Sequence, residues 1–410
     1  MSEERPEQLS GRPGPEEGSW PPPQPASWPP PQPAPWPPPR PQWPSSAQAG
    51  GPPYSGQPYS GQPYPGQPYP TPGPAWPGYA GYPQPPAYPT FPHPEPREYH
   101  QMLRTWTYSW WKPTVGMLVC GLAMLLVMPI VLLPVLALGV WLEGGPFLDT
   151  FLRSATMQEI GPSALLYLNL VLGSMILVTW FVIRFLHRMR PRWLTSVVPR
   201  MRWRFLGICL GLSFVALIAS VVVGMVVPGD DTSVLGPVND FTRTTALITL
   251  VVVLTTPFQA AGEEYLFRGY LLQAVGSMIR RSDVAKWVAI GVTSLLFAIA
   301  HGGQNFPLFF DRFAFGLIAG WLVIRTGGLE AGIALHILNN FLAYGFALTF
   351  GDLTESLTVS EVSWWNVPVT LTQEGVYALL VVLVARRMGL QTRTRPPRDE
   401  VRAEPLAVPA

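Results

Sequence analysis

Two adjacent carboxylates at the end of a long apolar run are the residues of this chain that first suggest chemistry. Glu263 and Glu264 lie in GEEYLFRG, directly after TALITLVVVLTTPFQAA, and Arg268 follows four residues after Glu264. A charged group in the middle of a lone membrane helix costs about 2.5–3.5 kcal/mol on insertion scales, so each one needs a reason. The spacing of four predicts an ion pair between Glu264 and Arg268 on one helical face. Glu263 points about 100° away around the helix, so it can serve as a base.

Two histidines and an asparagine lie in later apolar runs. His301 closes the stretch FAIAH, and His336 opens the stretch HILNN. Residues four apart share a helical face, so Phe297 lies one turn beneath His301 and Asn340 lies beside His336. These side chains are the remaining candidates for a polar site within the membrane.

Glu263 and His301 are separated by the charged turn RRSDVAK at 280–286, which suggests an antiparallel hairpin. Glu263 lies 17 residues before this turn and His301 lies 15 residues after it. These separations correspond to similar heights, because a helix rises about 1.5 Å per residue. The two side chains can therefore face each other, provided that the helix bearing Glu263 continues well past its apolar run.

Three functions are compatible with these side chains. As structural residues they would join membrane helices by hydrogen bonds. As a transporter or proton relay the chain would use the same carboxylates and histidines, although neither half of the sequence repeats the other. As a peptide hydrolase it would use Glu263 and His301 as base and proton carrier, and His336 and Asn340 as oxyanion donors. The His-Glu-x-x-His, Gly-x-Gly-Asp and Gly-x-Ser-x-Gly motifs of other hydrolases are missing from the sequence.

The elements that must position these residues are membrane helices. The 410 residues are 48% hydrophobic and only 13% charged, and the long apolar runs lack strand-like alternation. Each run is close to the roughly twenty residues that cross a bilayer, and such spans must be helical. The sequence predicts an all-α, polytopic membrane helix bundle of about eight transmembrane helices, at 114–142, 163–186, 205–227, 244–262, 285–301, 306–324, 329–350 and 370–386.

A proline-rich tail precedes the bundle. Most of the 50 prolines lie in residues 1–97, where Trp-Pro-Pro-Pro and Tyr-x-Gly-Gln-Pro units repeat. Proline removes a backbone donor and fixes φ, so this tail is predicted to be a disordered spacer or a docking segment for aromatic-lined grooves. The first thirty residues lack the apolar segment of a secretory signal, and the N-terminus is therefore expected to remain cytoplasmic.

Basic residues predict the orientation, because Lys and Arg are retained on the cytoplasmic side. They cluster before the first span, in alternate loops and in the C-terminal tail, whereas loops of the opposite parity carry acids such as Asp230, Asp231 and Glu355. Both termini are therefore predicted to be cytoplasmic in a multi-pass protein of the cell membrane. The net charge of +2 predicts no nucleic-acid partner, because the arginines follow the membrane edges instead of a base-stacking platform.

Small residues within the spans have structural interpretations. Cys120 and Cys209 both fall in apolar runs, so they are read as buried hydrophobes and provide no disulfide framework or cysteine metal site. Gly316 and Gly320 form a small-xxx-small pattern in the sixth span. This pattern packs the helix within the chain or serves a homodimer.

The three motifs together resemble a known family. Glu263-Glu264-x-x-x-Arg268, Phe297-x-x-x-His301 and His336-x-x-x-Asn340 follow one another on successive spans. This order resembles the CAAX-protease and bacteriocin-processing (CPBP) family of intramembrane endopeptidases. The resemblance covers residues 245–345 and includes neither the proline-rich tail nor the first three spans.

The resemblance implies roles for individual residues. Glu263 would activate water with help from His301, His336 and Asn340 would stabilise the oxyanion, and Arg268 would orient the acidic pair Glu263 and Glu264. The implied mechanism uses no cofactor. A catalytic zinc held by Glu263, His301 and His336 is the alternative, but asparagine is a poor zinc ligand and a good donor, which favours the metal-free scheme.

The resemblance also implies the partners, namely the lipid bilayer and a membrane-associated peptide or protein substrate. Eukaryotic members cut prenylated tails, but a chain with only two lysines, Lys112 and Lys286, is typical of a bacterium with a GC-rich genome, which argues against a prenylated substrate. The predicted organisation is a tail at 1–97, N-terminal spans at 98–244, a CPBP core at 245–345, a C-terminal span at 346–390 and a second tail at 391–410.

Overall fold

The computed structural model describes residues 91–228 and 237–395. Within these ranges every element of the chain is a helix, and the described residues form isolated bridges but no strand. The predicted all-α class is confirmed. Residues 1–90, with most of the predicted disordered tail, lie outside the described part, as do Asp230 and Asp231.

The described residues contain eight helices that are long and apolar enough to cross a membrane. The predicted spans agree with them in number and order. From the first to the eighth, they are Trp111–Glu143, Pro162–Phe185, Trp203–Gly224, Arg243–Met278, Ser282–Ala300, Phe306–Thr326, Glu330–Phe350 and Asn366–Arg387.

Three of these spans are interrupted helices. The first consists of Trp111–Leu122, a π-helical stretch at Ala123–Val127 and Met128–Glu143, and the second consists of Pro162–Gly173 and Met175–Phe185. The fourth consists of Arg243–Glu264, a π-helical stretch at Tyr265–Leu271 and Leu272–Met278. Short helical segments also occur between and before the spans, at Tyr99–Gln101, Phe147–Ala155, Pro191–Leu194 and Leu353–Leu357.

The fourth span is the longest of the eight. Its 36 residues extend about 54 Å at 1.5 Å per residue, against a hydrocarbon core of about 30 Å. The expectation that the helix bearing Glu263 continues past its apolar run is therefore correct. This helix must also project from the bilayer at one end or be strongly tilted.

The outer surface of the bundle is apolar. Leu125 is 74% exposed, Trp141 67% and Phe258 65%, and such a continuous apolar surface is normally buried against lipid. The chain is thus a multi-pass membrane protein. Cys120 and Cys209 are both fully buried and unpaired, as predicted.

The small-residue pattern of the sixth span packs inside the chain. A Cβ added at Gly316 would lie 2.8 Å from the Cα of Ser294 on the fifth span, and one at Gly320 would lie 3.5 Å from side-chain atoms of Ile290 and Leu272. The internal alternative therefore accounts for this stripe, and the stripe no longer supports a homodimer.

Residues 91–97, which composition assigns to the proline-rich tail, include buried side chains. Phe91 and His93 are buried, and both rings meet Trp193 edge to face at centroid distances of 5.5 and 5.1 Å. His93 Nε2 also lies 2.7 Å from the carbonyl oxygen of Met102. The folded unit therefore begins no later than Phe91, because this segment contributes an apolar face that composition alone does not reveal.

Candidate active site

Four of the six candidate residues line one cavity of about 430 Å³. Glu263 reaches it from the fourth span, His301 from the end of the fifth, and His336 and Asn340 from the seventh. The wall also includes apolar side chains of the second and sixth spans and polar side chains of the eighth. The cavity is thus enclosed by helices that are far apart in the sequence.

The fourth span is held close to the second where the acids begin. Gly262 packs so tightly that a Cβ there would lie 2.1 Å from the carbonyl oxygen of Leu172 and 2.8 Å from the Cα of Gly173. Nearly two turns before Gly262 on the fourth span, the hydroxyls of Thr255 and Thr256 accept hydrogen bonds from Asn169 Nδ2 of the second span, at 2.8 and 3.2 Å. These contacts fix the height and rotation of the helix immediately before Glu263.

Glu264 lies behind the cavity, in a buried ion cluster. Its Oε1 accepts hydrogen bonds from Arg268 Nη1 at 2.8 Å and from His336 Nδ1 at 3.0 Å, and both Glu264 and Arg268 are fully buried. Gly332 leaves room for this carboxylate, since a Cβ there would lie 2.6 Å from Glu264 Oε2. The ion pair predicted from the spacing of four is present, and it also holds a histidine of the cavity.

The Arg268 guanidinium packs against two aromatic rings. Its Cζ lies 4.1 Å from the centroid of Phe297 and 5.2 Å from that of Phe315. The ring of His336 meets the same two phenylalanines edge to face, at 5.9 and 5.3 Å. Cation–π attraction is strengthened by desolvation, so these rings add to the stabilisation that the Glu264 carboxylate gives the buried charge.

Glu263 belongs to a second, separate chain of hydrogen bonds. Its Oε1 accepts from Gln259 Nε2, and Gln259 Oε1 in turn accepts from Asn340 Nδ2 at 2.8 Å. An ionised carboxylate can only accept, so it directs the amide nitrogen of Gln259 toward itself and leaves the amide oxygen for Asn340. Adjacent acids therefore have different partners, as their angular separation predicted.

His301 is placed by the end of the fifth helix. The helix stops at Ala300, and Gly302 adopts φ 82°, the left-handed conformation that favours glycine after a helix. His301 Nδ1 lies 2.8 Å from the carbonyl oxygen of Phe297, and the two rings pack at a centroid distance of 4.6 Å. His301 and Glu263 share the cavity, but the described structure has no hydrogen bond between them.

Sequence reasoning missed several polar residues of this cavity. Gln259 is four residues before Glu263, so the helical spacing could have indicated it. Glu374 and Gln373 of the eighth span and Asn339 of the seventh also line the cavity. Glu374 is only 5% exposed, and its Oε2 makes no hydrogen bond to any described residue. No local motif marks the eighth span, whose contribution depends on how the bundle closes.

The alternative of a zinc site can be compared with this geometry. Among the described residues, no three His, Cys, Asp or Glu side chains converge closely enough to hold a metal ion. Glu263, His301 and His336 therefore do not fit a three-ligand site in this arrangement, and the chemistry considered below uses only the side chains.

Comparison with known proteins finds similarity to a family model in the region around the cavity. Residues 243–342 match the family model described as Rce1-like, type II CAAX prenyl endopeptidase. The uncharacterized protein YyaK of Bacillus subtilis (strain 168) is 23% identical over 239 residues, which cover 56% of this chain and 77% of YyaK. An uncharacterized 24.3 kDa protein of Escherichia coli is 37% identical over 91 residues, covering 22% of this chain and 41% of that protein. No solved structure matches the chain.

Proposed function

Because residues 243–342 are Rce1-like, consistent with the CPBP family, we propose that the chain is an intramembrane endopeptidase that cuts membrane-associated peptides or proteins. The observation that carries this proposal is the shared cavity, which is lined by Glu263, His301, His336 and Asn340. It combines a carboxylate, two imidazoles and an amide within an apolar bundle. These are the groups that hydrolysis of a peptide bond requires.

Glu263 is the proposed base. Its carboxylate accepts a proton from water while the water oxygen forms a bond with the carbonyl carbon of the substrate. His301 is the proposed proton carrier, because its Nδ1 donates to the Phe297 carbonyl and leaves the Nε2 lone pair available. When the C–N bond breaks, the leaving amine takes up the proton that Glu263 removed from water, which is passed on through Nε2 of His301.

Asn340 is the proposed oxyanion donor while the His336 ring is neutral. One N–H of its amide is directed to Gln259, and the second N–H can donate to a negative oxygen without any change of protonation. His336 differs, because its Nδ1 donates to Glu264 and a neutral ring then has only an accepting Nε2. His336 can thus donate to the oxyanion only as an imidazolium, which the Glu264 carboxylate would stabilise.

Glu264 and Arg268 are proposed to position the other groups. They do not line the cavity, yet Glu264 holds His336 and Arg268 packs against the Phe297 ring beneath His301. Their proposed role is to fix the orientation of the two imidazoles. Orientation strongly affects the reaction rate, because a misplacement of about 1 Å can cost about a hundredfold.

The membrane orientation is part of the proposal. The ends of the described chain lie on one face, where Thr394 N donates to the Arg97 carbonyl at 2.9 Å, as an even number of spans requires. The basic loops favour this face as the cytoplasmic one. The substrate is proposed to be a peptide held at the membrane, without a prenyl group being assumed.

The test is Glu263→Gln in the full chain, assayed by cleavage of a peptide library delivered in liposomes. The substitution preserves volume and removes the base, so activity should fall about a hundredfold or more with the melting temperature retained. Glu361→Gln, at an exposed carboxylate outside the cavity, is the matched control and should keep full activity. Cleavage by the wild type should also survive a stringent chelator, and loss of activity there would overturn the metal-free scheme.

The transporter alternative has its own outcome in the same liposomes. Full cleavage by Glu263→Gln would contradict the proposed base. Absence of cleavage by the wild type together with proton-coupled flux that Glu263→Gln abolishes would replace the protease by a transporter.

A further inference from the structure

A second cavity lies away from the candidate active site, on the face where the two ends of the described chain meet. It has a volume of about 580 Å³ and is bounded by the segment before the first span, the loop after the second span and the segment after the eighth. We call it the arginine pocket, because its wall includes Arg188, Arg190, Arg192 and Arg395. None of the active-site residues described above reaches it.

The arginine pocket has a strong excess of positive charge. Its wall contains no Asp or Glu, and no carboxylate of the described residues lies within 4.0 Å of the four guanidinium groups. By contrast, the buried arginines Arg202 and Arg268 each have a glutamate partner. Like charges gathered around one cavity repel each other, and no described carboxylate offsets this repulsion. A bound anion would reduce it.

One of these arginines has an uncommon backbone conformation. Arg188 adopts φ 56°, the left-handed region that costs free energy for a residue with a Cβ. It is flanked by His187 and Met189, which are both buried, and Met189 N donates to the Ile183 carbonyl at 3.0 Å. This bond, which spans six residues, lies at a helix C-terminus, and it fixes the position of Arg188 at the end of the second span.

The other side chains of the wall are aromatic or neutral. Trp193 is buried and Trp106 is 56% exposed. His187 Nε2 lies 2.9 Å from the Tyr270 hydroxyl, and burial, assisted by the charge of Lys112, lowers the pKa of His187 to about 4. The histidine is thus neutral at pH 7. The pocket combines exposed charge with an apolar floor, as is suitable for an amphipathic ligand.

The arginine pocket lies at the level of the span ends. Arg188 is three residues after Phe185, where the second span ends, and Lys112 is the second residue of the first span. Trp and Tyr are enriched at this level because their rings are amphipathic. The height is that of lipid headgroups.

We propose that the arginine pocket binds the phosphate of an anionic lipid headgroup. Guanidinium groups match phosphate oxygens with paired N–H donors, and basic pockets at the ends of membrane helices are suited to acidic lipids. A lipid is favoured over a soluble phosphate because the pocket offers Trp106 and Trp193 to glycerol and acyl carbons while the phosphate faces the arginines.

The experiment uses the full chain in nanodiscs of phosphatidylcholine that contain phosphatidylglycerol. After transfer to detergent, the retained phosphatidylglycerol is counted by native mass spectrometry. Arg190→Gln with Arg192→Gln should reduce retention about tenfold, because two headgroup contacts are lost. The matched control is Arg280→Gln with Arg281→Gln, which removes the same charge from two exposed arginines on the same face outside the pocket and should retain the lipid.

Each other outcome contradicts the proposal. Equal loss in both double variants would show nonspecific surface attraction, and equal retention in both would show that the lipid binds elsewhere. No retention by the wild type would remove the site. Complete displacement of the lipid by inorganic phosphate at millimolar concentration would make a soluble phosphate the ligand and overturn the lipid source.

Discussion

Glu263 and Glu264 are neighbours in sequence with different surroundings. Glu264 is fully buried and shares one oxygen between Arg268 and His336, whereas Glu263 faces the cavity and is bound by Gln259. A helix turns about 100° per residue, so adjacent positions point to different neighbours. Glu264 therefore balances the charge of Arg268, whereas Glu263 is the base in the proposed hydrolysis.

The substitution Glu264→Gln should mainly reduce stability. It leaves the Arg268 guanidinium buried without its carboxylate, and breaking a buried pair on one side costs about 3–5 kcal/mol. We expect a lower melting temperature and reduced expression, and the protein that still folds should also cleave less, because Glu264 no longer orients His336. The measurement is thermal unfolding in detergent, with Glu263→Gln as the control that removes a carboxylate without breaking an ion pair.

A double-mutant cycle separates the pair from other effects of these substitutions. If Glu264→Gln and Arg268→Met each destabilise the protein, the double variant should cost clearly less than the sum. Additive losses would contradict the ion pair as the reason for burying both residues. Wild-type stability of Glu264→Gln would do the same.

Part of the site could be predicted at this scale and part could not. The ion pair of Glu264 and Arg268 and the packing of Phe297 under His301 follow from spacing within one helix. His336 donating to Glu264 and Asn340 donating to Gln259 join residues more than seventy positions apart. Such contacts depend on the approach of separate helices, which spacing within a helix does not determine.

The fourth span is the element on which the site depends most. It starts with a capping box, in which the Thr242 side chain accepts from Thr245 N, and it contains Pro257 in its interior. The π-helical stretch Tyr265–Leu271 begins directly after the acidic pair. π-helical turns often occur at functional sites, and here the turn changes the rotation of the helix between Glu264 and the rest of the span.

The substitution Gly262→Ala should damage both stability and activity. The added Cβ would lie 2.1 Å from the carbonyl oxygen of Leu172, and this backbone atom cannot move without shifting a helix. Overpacking typically costs about 1–3 kcal/mol, and the shift would displace Glu263 next to it. Thermal unfolding and peptide cleavage should both decline.

Gly291→Ala is the control for this substitution. Gly291 is also within a span, but an added Cβ there has no neighbour within 4 Å. The same change should therefore be neutral or slightly stabilising, because alanine is the better helix former by about 1 kcal/mol. A neutral or stabilising effect at both positions would show that contact with the second span does not exclude a Cβ at residue 262.

Hydropathy predicts elements of this type well. A run of about twenty apolar residues in lipid has to be a helix, so the number and order of spans follow from composition. The π-helical interruption of the fourth span does not follow from composition, since this stretch contains neither proline nor a run of glycines. It is set by packing, because every residue from Tyr265 to Leu271 is buried.

At the scale of the whole molecule, both ends of the described chain are tied to one face of the bundle. Glu98 lies 3.0 Å from Arg393 and 3.5 Å from Lys286. It therefore connects the segment before the first span with the segment after the eighth and with the fifth helix. Gly276 packs so closely that a Cβ there would lie 2.2 Å from the His100 carbonyl oxygen. This face is an assembled part of the fold.

Composition could not predict this assembly. Apart from Met102 and Leu103, residues 91–110 are polar, aromatic or proline, so they look like a continuation of the tail. His93, His100 and His187 lie outside the spans, yet all three are buried. Their burial depends on contacts with residues such as Trp193 and Ser282, which are distant in sequence.

The last prediction concerns where the dispensable tail ends. Deletion of residues 1–90 should leave the melting temperature unchanged, because the proline-rich composition of this segment predicts a disordered spacer. Deletion of residues 1–95 also removes Phe91 and His93, and loss of a buried aromatic ring typically costs about 3–5 kcal/mol. We therefore expect a lower melting temperature for the longer deletion alone, measured on detergent-solubilised protein. Phe91→Ala in the full chain should reproduce most of the loss. Equal stability of the two truncated proteins would contradict the packing of Phe91 against Trp193, and destabilisation by the shorter deletion would show that the proline-rich tail itself supports the bundle.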